Sequence, residues 1–137
     1  LAGRYSLLDH SALPQLLPVC VQRNVRIALG GVFNSGILAT GVRGVAAPRF
    51  NYAAAPAAWV ERVARIEALC ENFEVPLRAA ALQFPLAHPA IAIVMVGAQT
   101  VAQWSDAVAM MAHPIPPGFW QALKAAGLLG PETPVPA

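Results

Sequence analysis

The sequence has a single lysine, Lys124, and only two aspartates, Asp9 and Asp106. Charged residues make up 12% of its 137 positions, about half the usual share. The nine basic residues are scattered. No basic run and no basic–aromatic interleaving occurs, which argues against a nucleic-acid partner. Cysteine is scarce too. Cys20 and Cys70 stand far apart on expected helices and make neither a metal spacing nor a secreted disulfide framework. They read as buried thiols in a reducing cytoplasm. No signal pattern opens the chain. The apolar segment 79–98 is broken by Gln83, Pro85, His88 and Pro89, so it cannot form one membrane helix of about 20 residues.

Hydrophobic residues are plentiful: 57% of the chain, with a mean hydropathy of +0.54. So few charges leave little to cover a surface, which implies that much of this sequence is made for burial. The first residue is Leu, not Met, and we expect the chain to have been cut from something longer.

The element order follows from periodicity and breakers. "AGRYSLLD" reads as strand-like. "SALPQLLPVCVQRN" reads as a helix, with Ser11 as N-cap and Leu13, Leu16, Leu17, Cys20 and Val21 on one face; Pro18 implies a kink. "VRIALGG" is a short apolar run ending in glycine, as buried parallel strands do. A long irregular connection follows, through "VRGVAAPRFNYAAAP". "AAWVERVARIEALCENFEVP" is the clearest helix, striped by Trp59, Val63, Ile66, Cys70 and Phe73. Pro76 starts a second helical stretch. "AIAIVMVGA" is another buried strand, "TVAQWSDAVAMM" a helix capped by Thr100, and "PPGFWQALKAAGLL" a last one. Strands alternating with helices predict an α/β fold with a parallel sheet.

The stretch "GGVFNSGILATG" sits just after the second expected strand. Ligands in parallel α/β folds bind at such C-terminal strand ends, and bare backbone lets a phosphate approach N–H groups. A tight turn needing positive φ at glycine explains the same residues. Composition alone leaves both readings open.

Four stretches together resemble the aldo/keto reductase family: "AGRYSLLD", "GGVFNSGILATG", "PLRAAALQFPLAHPAIAIVMVGAQT" and "HPIPPGFWQALKAAGLL". The likeness is strongest to its D-threo-aldose 1-dehydrogenase (L-fucose dehydrogenase) branch, which includes pyridoxal dehydrogenase-like members. It runs over nearly the whole chain in order and spacing. The resemblance implies a (β/α)8 TIM barrel that binds NAD or NADP. Residues 1–137 then form one partial domain, the C-terminal half, with residues 42–56 as a variable loop. Gly3–Leu7 resembles the sixth strand, Arg26–Gly30 the seventh and Ile91–Val96 the eighth. The loop after the seventh strand is implied to wrap the cofactor pyrophosphate, through Gly31, Val32, Phe33, Asn34, Ser35 and Gly36. The motif after the eighth strand is implied to hold the adenosine end, through Gly97, Ala98, Gln99, Thr100, Gln103 and Asp106.

Departures from the family pattern are equally informative. Gly30 stands where many relatives carry an aromatic ring that stacks on nicotinamide, and Tyr5 matches a different motif tyrosine. Gly97, Gln99 and Gln103 replace basic residues that grip the 2′-phosphate of NADP, so NAD is favoured. Ala107 replaces an asparagine that meets adenine. The family's Asp, Tyr, Lys, His tetrad belongs to the first four strands, which have no match here, so no catalytic residue is expected and the chain by itself should be inactive. His10, His88 and His113 show no metal-ligand spacing, and Ser11 and Ser35 lack a nearby His/Asp arrangement. Trp59, Trp104 and Trp120 read as core or helix-packing rings, with Phe119 and Trp120 as alternative borders of a substrate pocket.

A complete barrel of this type takes about 250 residues. The expected parent oxidises an aldose such as L-fucose at C1 to a lactone, passing hydride to NAD(P)+. Its expected partners are the cofactor, a small sugar or aldehyde, and the missing N-terminal half. The competing expectation is a non-catalytic α/β module, or gene remnant, that pairs with another chain. In either case the strand Ile91–Val96 should lack a partner on one edge.

Overall fold

A parallel patch of three chain segments organises the protein. The computed structural model describes residues 1–137. Strand β1 (Ile27–Gly30) pairs in parallel with the later strand β4 (Ile91–Met95). The register runs Ile27 to Ile91 and then Ala28 to Ile93, so Ala92 is an extra residue in β4. On the other edge of β1, Ala2 bridges Gly30 in parallel. The Gly3 N–H donates to the Gly30 carbonyl at 2.8 Å and the Gly30 N–H to the Leu1 carbonyl at 2.9 Å. The spatial order is therefore Leu1–Gly3, β1, β4. The sheet does not close into a barrel.

The expected strand Gly3–Leu7 is corrected. Pairing stops at Gly3, whose φ of +61° ends the extended run. Residues 3–8 then bend, and the Ser6 hydroxyl accepts from the N–H groups of Leu8 and Asp9 at 3.2 and 2.9 Å. A serine that captures nearby N–H groups offers the backbone an alternative to a sheet ladder.

Helix α1 (Leu16–Gln22) starts later than Ser11, and no side chain caps it. Proline has no N–H to give and is tolerated in a helix's first turn. Beginning at Leu16 puts Pro18 in that turn, so no kink is needed. Only Leu17 and Cys20 of the expected stripe are buried there; Leu16 and Val21 face outward.

The long connection is not structureless. A four-residue helix, α2 (Ile37–Thr40), follows the glycine loop and buries Ile37 and Leu38. A small antiparallel hairpin joins β2 (Arg49–Phe50) to β3 (Ala53–Ala54), turning through Asn51 and Tyr52, both at positive φ. The Phe50 ring stacks on Trp59, centroids 4.8 Å apart.

Helix α3 (Ala57–Asn72) buries Val63, Ile66 and Cys70 along the expected stripe. Helix α4 (Leu77–Gln83) runs into a 3-10 turn at Phe84–Ala87 and buries Ala79–Leu82 continuously. Helix α5 (Val101–Ala112) packs on α4, and α6 (Pro117–Ala125) on α3. Arg62 and Arg65 of α3 donate to the carbonyls of Leu128 and Ala126, just past the end of α6. Gln83 donates to the Met110 and His113 carbonyls at 2.9 and 2.8 Å, capping the end of α5.

The core centres on Phe84. Its ring lies 5.3 Å from Tyr5, 5.7 Å from His10 and 6.4 Å from Trp120. Phe119 and Trp120 are completely buried there, so they do not border an open pocket. Helix α5 buries no residue. Its Val101, Trp104, Val108 and Met111 form an exposed apolar stripe, and Ile93 and Met95 of β4 are exposed as well. Trp104 is 58% exposed, which corrects its reading as a core ring. No helix is long and apolar enough to cross a membrane.

Candidate cofactor site

Both glycine stops lie at the C-terminal ends of adjacent parallel strands, β1 and β4. The two segments that follow them, the loop Gly31–Gly36 and the residues Gly97–Thr100, begin side by side. Between them, α4 and α5 enclose a cavity of about 480 Å³, within the range of small-molecule sites. Its walls are Phe33, Ala39, Arg78, Val96, Gly97, Ala102, Gln103, Asp106 and Ala107. The structure thus brings Phe33, Gly97, Gln103 and Asp106 together from the sequence-predicted set. Ala98, Gln99 and Thr100 line a shallower neighbouring depression beside Trp104. Gly31, Val32, Asn34, Ser35 and Gly36 line neither.

Several of these residues have structural duties. Gly31 has φ +71°, and a Cβ there would meet the Gly3 nitrogen at 3.1 Å, so this glycine answers to a close chain approach. Val32 is buried in the core. Asn34, also buried, accepts from the Ser6 hydroxyl through Oδ1 and donates through Nδ2 to the Gly3 carbonyl at 3.2 Å. Its side chain is therefore not free for a ligand. Ser35 accepts from the Tyr52 N–H at 2.9 Å and anchors the hairpin. Thr100 caps α5 by accepting from the Gln103 N–H at 3.2 Å, while Gln103 Oε1 reaches back to the Gln99 N–H at 2.7 Å. The T-x-x-Q pattern of a capping box is legible in the sequence, but Gln103 reaches the N–H one residue before the cap.

What remains fits an anionic, partly apolar ligand. The N–H groups of Phe33 and Ser35 have no acceptor within the protein. Gly36 and Gly97 have open space where a Cβ would lie. An apolar face from Phe33, Ala39, Ala102 and Ala107 suits an aromatic base. These are the donors and surfaces that the pyrophosphate and adenosine of a nicotinamide cofactor require.

Arg78 is the residue that sequence reasoning missed. Its Nε donates to Asp106 Oδ2 at 2.7 Å and its Nη2 to Oδ1 at 3.0 Å. It sits one residue into α4, and no local pattern joins it to a partner on α5.

Residues 1–127 match the model of the aldo/keto reductase family. The chain belongs to that family. It is 41% identical over 129 residues to pyridoxal 4-dehydrogenase of Microbacterium luteolum, an alignment covering 94% of this chain and 37% of that protein. It is 39% identical over 128 residues to D-threo-aldose 1-dehydrogenase of a Pseudomonas species, covering 93% of this chain and 39% of that protein. This family member thus spans less than two fifths of the length of these curated relatives. The family's fold is a (β/α)8 barrel, and both of these relatives are named as dehydrogenases.

Proposed function

We propose that these 137 residues are the cofactor-binding part of an NAD(P)-dependent aldo/keto reductase and supply the sixth to eighth strands of its barrel. The parent oxidises an aldose such as L-fucose at C1 to the lactone. The observation that supports this reading is the cavity shared by the C-terminal ends of β1 and β4, walled by Phe33, Gly97, Gln103 and Asp106.

When bound, the nicotinamide supplies the hydride acceptor. The residues of this chain bind and orient. The N–H groups of Phe33 and Ser35, which have no acceptor in the protein, would be the donors available to phosphate oxygens on the glycine loop. Gly36 and Gly97 keep side chains out of the way. The apolar wall formed by Phe33, Ala102 and Ala107 would offer a flat surface to an adenine. Proton transfer at the sugar hydroxyl requires a general base. None of the chain's own titratable groups lines the cavity except Arg78 and Asp106, and these are paired.

A second reading, a non-catalytic module that pairs with another chain, draws support from the exposed stripe Val101, Trp104, Val108 and Met111. Two measurements on the 137-residue protein separate these readings. Calorimetric titration with NAD+ should register binding, and an assay with L-fucose, D-arabinose and NAD+ should register no turnover. No binding at millimolar NAD+ would sink the cofactor reading. Turnover that follows the protein through purification would show that proton transfer does not need the absent strands.

A further inference from the structure

The cavity beyond the ends of β1 and β4, lined by residues of α2, α4, α5 and the two turns, holds one cation and one anion, and they are bonded to each other. Arg78 and Asp106 lie 28 residues apart in sequence, and both carboxylate oxygens meet the same guanidinium fork. The two side chains are 42% and 39% exposed, so the pair adds little stability. Its consequence is positional. It fixes the plane of the guanidinium and occupies its Nε and Nη2, leaving Nη1 unbonded. No other charged side chain lines the cavity, so its walls carry no net charge.

We infer that Asp106 sets the cofactor preference of this site by withholding Arg78 from a phosphate. This rests on the reading of the cavity as the adenosine end of a nicotinamide-cofactor site. A 2′-phosphate brings up to two negative charges, and the group that matches its oxygens is a bidentate arginine fork. The only such fork here is already filled by a carboxylate of nearly the same geometry. That carboxylate belongs to the same chain, so it competes without any loss of translational freedom on binding. It also repels an incoming phosphate. Gln99 and Gln103, on the adjoining turn, contribute no charge, and Gln103 Oε1 is occupied by the Gln99 backbone N–H. A ribose with a free 2′-hydroxyl meets none of these penalties. Arg78 is thus a latent phosphate ligand, and Asp106 is the residue that determines specificity.

The test uses two adenosine-end probes, 5′-AMP and 2′,5′-ADP, titrated calorimetrically into the 137-residue protein. The wild-type chain should not favour 2′,5′-ADP by more than about threefold. Asp106→Asn keeps the shape, frees the fork and should tighten 2′,5′-ADP by about tenfold or more, as one charge-assisted contact allows. The readout is the ratio of the two affinities, which should move towards 2′,5′-ADP by that factor. Adding Arg78→Gln should erase the gain. Arg78→Gln alone leaves an unpaired carboxylate in the cavity and should weaken 2′,5′-ADP relative to 5′-AMP. That single variant keeps the test decisive if a circular-dichroism melt shows that Asp106→Asn disturbs the fold. An unchanged ratio in both single variants, or a gain that survives in the double variant, would overturn the inference while 5′-AMP binding left the cofactor site standing. Failure of the wild-type chain to bind 5′-AMP and NAD+ at millimolar concentration would overturn both.

Discussion

Two tryptophans divide this molecule. Trp120, on α6, is completely enclosed by Phe84, Phe119 and their neighbours. Trp104, on α5, stands in an apolar stripe with nothing over it. Around Trp120 the protein satisfies itself: α3, α4 and α6 bury their apolar faces, and arginine side chains close the end of α6. Around Trp104 the sequence is just as apolar, but the surface is left open. Composition alone cannot separate the two, because it counts apolar residues without saying what meets them. The contrast teaches that the surplus of hydrophobic residues is localised. It belongs to the outer faces of β4, α5 and α1, where Ile93, Met95, Trp104, Leu16 and Val21 all stand exposed, and not to the packing around Trp120.

Substitution should expose the contrast most strongly at the rings themselves. Trp120→Ala should cost about 3–5 kcal/mol, as emptying a filled aromatic site does, and the urea midpoint should collapse. Trp104→Ala should shift stability by less than about 0.5 kcal/mol, as an exposed change does, while reducing self-association in size-exclusion chromatography. Equal losses at both positions would mean that α5 is covered in solution.

The glycines of the loop give a finer test. Gly31→Ala faces both left-handed strain of about 1–2 kcal/mol and the Gly3 backbone. Gly36→Ala, at φ +99° but in open space, faces the strain alone. Thermal melting should therefore rank Gly31→Ala as the more destabilising. The reverse order would place the close chain approach elsewhere.

The smallest effect concerns pH and acts on the closed side. Burial, and then the charge of Arg62, pull the His10 pKa below its ordinary value, despite the opposing pull of Asp9 and nearby backbone carbonyls. Burial also lowers that of His88, whose Nδ1 accepts from the Ala90 N–H at 3.1 Å and must stay unprotonated to do so. The unfolded chain takes up protons at these histidines near pH 6.5, above the depressed folded values. Stability should thus be full above about pH 7 and fall as the pH drops through 6.5 towards the folded-state pKa values. Melting temperatures at pH 7.5 and 5.5 measure this, and His10→Phe should flatten the difference. A Tm that rises on acidification would contradict the burial of both rings.

Much of the fold was legible because single elements carry their own signals. The stripe of α3, the Thr100 cap and the glycine stops of β1 and β4 all emerge at the expected places. What escaped was long-range or very short. Two residues per strand are too few for a period, so the hairpin at Arg49–Ala54 left no trace. The sheet edge at Leu1–Gly3 was misplaced because "RYSLL" looks extended until Ser6 bonds its neighbours' N–H groups. Within the site, family likeness pointed to Phe33, Gly97, Gln103 and Asp106, which do line one cavity. It could not point to Arg78, whose meaning depends on a carboxylate 28 residues later.

The Asn34 clamp carries one more consequence. Its side chain joins the glycine loop to Gly3 and Ser6 across 31 and 28 residues of chain. A contact of that sequence separation closes a long loop, and the entropy of closure must be met before the contact rewards it. The loop beside the cavity therefore cannot settle on local interactions alone. Its final shape is thus tied to the docking of Leu1–Gly3 along β1, and a change at one buried amide should be felt at both ends of that span.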